Sequence, residues 1–223
     1  NLPRLRAAMY ASASHPAVDV LLRNADRALY RAKAKGRNTY QFYVPEMDAM
    51  IQSRKAMERD LRQALDAGEL DLEYQPAVDA TTGEITSVEV LVRWKHPVFG
   101  MLYPNAFVPI AEESTLIVEL GAWVLTEACA LIALEARAGR ALNLSVNISP
   151  RQFRQRDFVD RLKSLLAESG AEPRRLTLEI TESLFLHGVD EITARMTELA
   201  ALGVRFSIDD FGTGYSSLAY LKR

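Results

Sequence analysis

Near the start of the chain, apolar residues recur at helical spacing. Val18, Leu21, Leu22, Ala25, Ala28, Leu29 and Ala32 fall on one face between Ala17 and about Lys35, and Gly36 stands where such a helix would end. Thr39 to Val44 then reads as a short strand. Glu46 to Ala67 sets Met50, Met57, Leu61, Ala64 and Leu65 among many charges, with Gly68 as the stop, which predicts an amphipathic connecting helix. One helix and one strand bury too little surface to form a domain, so residues 1–44 read as the tail of something larger and 45–68 as a helical linker.

From Glu69 onward the pattern changes to alternating strands and helices. Strands are predicted at Leu70–Val78, Ile85–Trp94, Leu142–Ile148, Leu176–Ile180 and Val204–Ile208. Between them lie helical stretches at Phe107–Glu113, Leu116–Ala138, Asp157–Ser169 and Val189–Leu202, with Gly139, Gly170 and Gly203 at helix ends. This order predicts an α/β fold with a parallel sheet and helical crossovers, either an open doubly wound sheet or an incomplete barrel.

Composition narrows the chemistry. With 223 residues, 48% hydrophobic and 25% charged, the chain has an ordinary globular make-up. Its 27 Lys plus Arg against 29 Asp plus Glu give a net charge of −2, so no global field recommends a nucleic-acid polymer or an anionic membrane as partner. Cys129 is the only cysteine, which excludes an intrachain disulfide and a thiolate metal cluster, and it reads as a packed helical residue. No apolar run is read as approaching the roughly 18–20 residues that span a bilayer, and no signal-peptide pattern is seen. Neither a dinucleotide fingerprint nor a Walker-type loop follows the first strand.

The remaining signal is a series of acids at strand ends. Glu89, Leu91 and Arg93 share one face of the second strand and Val90 and Val92 the other. A glutamate and an arginine on one face of a buried strand read either as a mutual ion pair or as functional groups. Asn147 interrupts the third strand, Glu179 and Glu182 flank the end of the fourth, and Asp209 and Asp210 close the fifth before the glycine-containing loop Phe211-Gly212-Thr213-Gly214. Glu89, Asn147, Glu179 and Asp209 thus offer oxygen donors from successive strands, a set suited to magnesium or manganese rather than zinc. Carboxylates with an arginine on one rim suggest phosphate-ester chemistry, Arg93 holding a phosphate. His15, His96 and His187 stand beside Pro16, Pro97 and Gly188 and read as surface or turn residues.

Residues 69–223 resemble the first two thirds of an EAL domain, the cyclic di-guanylate phosphodiesterase of bacterial signalling proteins. The matching segments are Tyr74-Gln75-Pro76, Glu89-Val90-Leu91-Val92-Arg93-Trp94 with His96-Pro97, Phe107 through Glu112, Val146-Asn147-Ile148-Ser149, Glu179-Ile180-Thr181-Glu182-Ser183, and Asp209 through Leu218. The segment Ala25 to Lys33, with Gly36-Arg37-Asn38, is similar to the end of a GGDEF domain, the usual upstream neighbour, although no GGDEF signature is present. Val90 stands where the EAL family has alanine.

The resemblance implies a TIM-type (β/α)8 barrel whose first strand runs antiparallel to the others, incomplete within these residues. It implies that Glu89, Asn147, Glu179 and Asp209 hold one Mg2+ or Mn2+ and that Asp209 and Asp210 serve a second. Arg93 would hold a substrate phosphate and Gln75 would lie in the pocket. Glu182 would steady the loop containing Phe211, Gly212, Thr213, Gly214, Ser216 and Ser217, which couples metal binding to dimer contacts. The implied reaction cleaves cyclic di-GMP to linear pGpG in a cytoplasmic homodimer with a GGDEF or sensor domain upstream, with any membrane anchor outside the chain. The family's later lysine, glutamate and glutamine are not among the 223 residues. A non-catalytic cyclic di-GMP receptor, or an inactive fragment, is therefore the alternative expectation.

Overall fold

A computed structural model describes residues 18–34, 40–44, 46–186 and 188–209. The chain divides into two units, residues 1–59 and 60–223. In the first, helix α1 (Val18–Ala34) buries Ala25, Ala28 and Ala32. Arg27 donates to Asp48 at 2.6 Å, near the start of helix α2 (Glu46–Ala67), and Tyr43 Oη bonds the same carboxylate oxygen at 3.2 Å.

The strand expected from Thr39 to Val44 does not form across its described part. Residues 40–44 carry no regular structure, and Tyr40 and Phe42 are exposed. A lone strand-like segment needs a ladder to satisfy its backbone, and no described strand forms one with residues 40–44.

In the second unit, strand β1 (Leu70–Val78) pairs antiparallel with β2 (Ile85–His96), in register from Leu70 opposite Trp94 to Gln75 opposite Glu89. The connecting turn is held by Asp79, whose Oδ1 accepts from the backbone N–H of Thr81 and Thr82 at 2.8 and 2.9 Å. A short strand β3 (Gly100–Leu102), absent from the sequence-based prediction, folds back on β2.

Helices α3 (Pro104–Glu113) and α4 (Leu116–Arg137) cross over to β4 (Leu144–Ile148). Helices α5 (Pro150–Phe153) and α6 (Phe158–Ser169) lead to β5 (Leu176–Thr181), and α7 (Val189–Leu202) leads to β6 (Arg205–Asp209). Strands β2, β4, β5 and β6 are parallel neighbours, and the sheet has six strands. The expected antiparallel first strand and parallel successors are both observed.

Strand period places side chains on two unlike faces. Val90, Val146, Ile148, Leu176, Leu178 and Ile180 face the helices and pack with Val124, Ala128 and Ile132 of α4 and Leu162 and Leu166 of α6. Each such fully buried aliphatic side chain contributes on the order of 1.5–3 kcal/mol. Helix α4 is long and apolar enough, by composition alone, to cross a bilayer, which the sequence reading overlooked; 56% of that stretch is buried in this core. Cys129 lies on the same helix, fully buried, with its thiol pushed up to about 12 by desolvation.

Candidate active site

The opposite face of the sheet is polar. The register sets Gln75 opposite Glu89, Glu89 opposite Ser145, Asn147 opposite Glu179, and Thr181 opposite Asp209. Since alternate residues share a face, Glu89, Asn147, Glu179 and Asp209 all project from this side. Asn147 Nδ2 donates to Glu89 Oε1 at 2.7 Å, which leaves its Oδ1 for another partner.

Burial holds the Glu179 carboxyl above its ordinary range, and the neighbouring carboxylates of Glu89 and Asp209 push it further, against a hydrogen bond from buried Ser145. Like charges are thus concentrated where hard oxygen donors converge, a set that suits a divalent cation with oxygen preference. Among the described residues, no three acidic, histidine or cysteine side chains are already drawn to metal-ligand spacing. Mutual repulsion opposes such an approach unless a cation screens it.

Arg93 does not pair with Glu89. Its Nε donates to Glu73 at 2.8 Å and its Nη1 to the Val92 carbonyl at 2.9 Å, while the guanidinium lies 4.8 Å from the Tyr103 ring centroid. Glu73 stands two residues from Gln75 on the same face of β1, so the cross-strand neighbour, rather than the residue four positions back on its own strand, satisfies the buried cation.

Glu182 leaves the strand and opens a 3-10 turn (Glu182–Leu186), and its Oε2 is buried with no hydrogen-bond partner among the described residues. Asp210, Phe211, Gly212, Thr213, Gly214, Ser216 and Ser217 lie outside the described residues, as do His15 and His187. His96, read as a surface or turn residue, instead ends strand β2 and is buried against Trp94 and Phe99, with its Nδ1 accepting from the N–H of Val98 and Phe99 in the turn that follows.

A cleft of about 900 Å3 opens beside the middle of β2 and the carboxyl ends of β4 and β5. Asn147, Glu179 and Glu182 line it beside Val90, Leu120 and Val124, a mixture of convergent polar groups and apolar wall typical of ligand sites. Sequence reasoning missed Glu112, Arg151 and Gln152, which also line it. The cleft side of α5 was foreshadowed by Ser149-Pro150: Ser149 Oγ accepts from the Gln152 N–H at 3.1 Å, an N-cap followed by proline at the first helical position.

The EAL domain family model matches residues 58–223, more than half of the chain. This chain belongs to the EAL family. The bifunctional diguanylate cyclase/cyclic di-GMP phosphodiesterase MucR of Pseudomonas aeruginosa is 46% identical over 204 residues, covering 91% of this chain and 30% of that protein. The cyclic di-GMP phosphodiesterase NbdA of the same organism is 40% identical over 204 residues, covering 91% of this chain and 26% of that protein.

The solved structure of the PaMucR phosphodiesterase in complex with c-di-GMP superposes with a TM-score of 0.71 at 45% identity, covering 74% of this chain and 68% of that one. The EAL enzyme Bd1971, in its cAMP and cyclic-di-GMP bound form, gives a TM-score of 0.72 at 30% identity, covering 94% of this chain and 55% of that one. The EAL chain therefore spans under a third of the length of these curated relatives, 30% and 26%. Its fold is the TIM-like barrel class of its structural neighbours, seen here as an α/β unit with a partial sheet.

Proposed function

We propose that this EAL unit hydrolyses cyclic di-GMP to linear pGpG with Mg2+ or Mn2+. The observation that carries the reading is the convergence of Glu89, Asn147, Glu179 and Asp209 on one polar sheet face, with the Glu89–Asn147 hydrogen bond at 2.7 Å. Relatives at 46% and 40% identity bear cyclic di-GMP phosphodiesterase names, and EAL phosphodiesterases generally use divalent metals.

These four side chains would hold one cation and Asp209 with Asp210 a second, supplying Lewis-acid polarisation of the phosphoryl group and an activated water. Asn147 orients Glu89 through its amide. Glu73 and the Val92 carbonyl fix the guanidinium plane of Arg93, leaving its other N–H donors for a substrate phosphate. Gln75, directly across from Glu89, would contact the same ligand, and the buried Glu182 oxygen would brace the loop after Asp210. A GGDEF-type upstream domain and self-association belong to the same proposal.

Glu89→Gln in the intact protein tests it. Incubation of wild type with cyclic di-GMP and Mg2+ should give linear pGpG, and the variant should lose at least about 100-fold in kcat while still binding nucleotide. Undiminished turnover by the variant would remove Glu89 from the site. Binding by wild type without product would make the unit a receptor.

A further inference from the structure

Gln152 is 3% exposed, and its carboxamide makes no hydrogen bond among the described residues; only its backbone N–H is engaged, by Ser149 Oγ. A carboxamide has two donors and an acceptor with two lone pairs, and buried groups of this kind are nearly always satisfied. The group is not sealed in the core, because it lines the 900 Å3 cleft shared with Asn147 and Glu179.

Its position depends on Gly121 of α4. A Cβ at residue 121 would meet Gln152 Oε1 at 2.1 Å, Cδ at 2.4 Å and Nε2 at 2.5 Å. The glycine sits inside a helix, where it is an unfavourable residue, and its missing side chain is the space that the carboxamide fills. Around it, Val90, Ile117, Leu120 and Val124 supply apolar walls of the same cleft.

We propose that Gln152 is a specificity-determining residue, whose carboxamide hydrogen-bonds the edge of one guanine base of the bound dinucleotide. Guanine offers the O6 acceptor beside the N1–H donor, which a carboxamide complements with its own donor and acceptor. The assignment rests on the cyclic di-GMP reading above. It adds a base contact away from the acids of the reacting edge, so its loss should weaken binding rather than chemistry.

The test uses Gln152→Met, which keeps the length of the side chain, with Gln152→Leu as a second variant, both in the intact protein. Steady-state kinetics with cyclic di-GMP and melting of the ligand-free protein are measured together. The expected result is a KM raised about 3- to 10-fold with kcat within about two-fold, the loss of one neutral hydrogen bond. The ligand-free melting temperature should hold or rise, because an unpaired buried amide has been removed. An unchanged KM in both variants with active wild type overturns the assignment of Gln152 and leaves the cyclic di-GMP reading standing. A raised KM accompanied by a lower melting temperature and a fall in kcat overturns it in favour of a structural role. Wild type that neither binds nor cleaves cyclic di-GMP removes both readings.

Discussion

Glu179 concentrates the conflict on which the site is built. Its proton is held more tightly in the fold than in the unfolded chain, through burial first and then the Glu89 and Asp209 charges. Between the ordinary carboxyl range and the raised value, the folded chain therefore binds the extra proton, and stability falls as pH rises through that window. Glu179→Gln should remove this slope and raise the melting temperature of the metal-free protein at neutral pH, while abolishing stabilisation by Mg2+. Melts from about pH 4 to about pH 8 check both signs. A lower melting temperature across the range would mean that the carboxylate is satisfied in the metal-free fold. Arg93 shows the converse case: a buried cation is tolerated because Glu73 and the Val92 carbonyl already receive it.

At the scale of elements, the hairpin joining β2 to β3 is fastened by one imidazole. His96 Nδ1 accepts from Val98 N–H at 3.0 Å and Phe99 N–H at 3.3 Å, which places its proton on Nε2, 3.7 Å from Asp60 of α2. His96→Ala should cost about 1–2 kcal/mol, since the exposed Val98 and Phe99 can turn to water but the ring packing is lost, and amide exchange at both residues should quicken. Unchanged exchange would show that the turn holds without the ring. The sequence made His96 a surface or turn residue through Pro97, whereas the structure puts it at the buried end of β2, because aromatic cover from Trp94 and Phe99 leaves no local signal. Strands and long helices were legible because their periods are local: β1, α2 and α7 have the bounds that the pattern predicted. The segment from Thr39 to Val44 had the composition of a strand without a ladder partner among the described residues, and β3 was too short to leave a periodic signal.

Across the whole EAL unit, the ligand edge and the core are opposite faces of one sheet, so cation binding should report on global stability. Saturating Mg2+ or Mn2+ should raise the melting temperature, by about 2.7 kcal/mol of added stability at a hundred-fold excess over Kd, and a chelator should reverse it. Asp209→Asn should weaken that response; a full response in the variant would place the cation elsewhere. Sequence alone determined the order of the long helices and of strands β1, β2, β4, β5 and β6, the polar and apolar faces, and the oxygen donors Glu89, Asn147, Glu179 and Asp209 on one face, because side-chain direction follows from strand period. Its motifs also carried the family resemblance. Only the tertiary structure decided which of these groups meet: Asn147 with Glu89, Arg93 with Glu73, and Gln152 against Gly121. Those pairings join residues far apart in the chain, so they are set by strand register and helix packing, which no local pattern encodes.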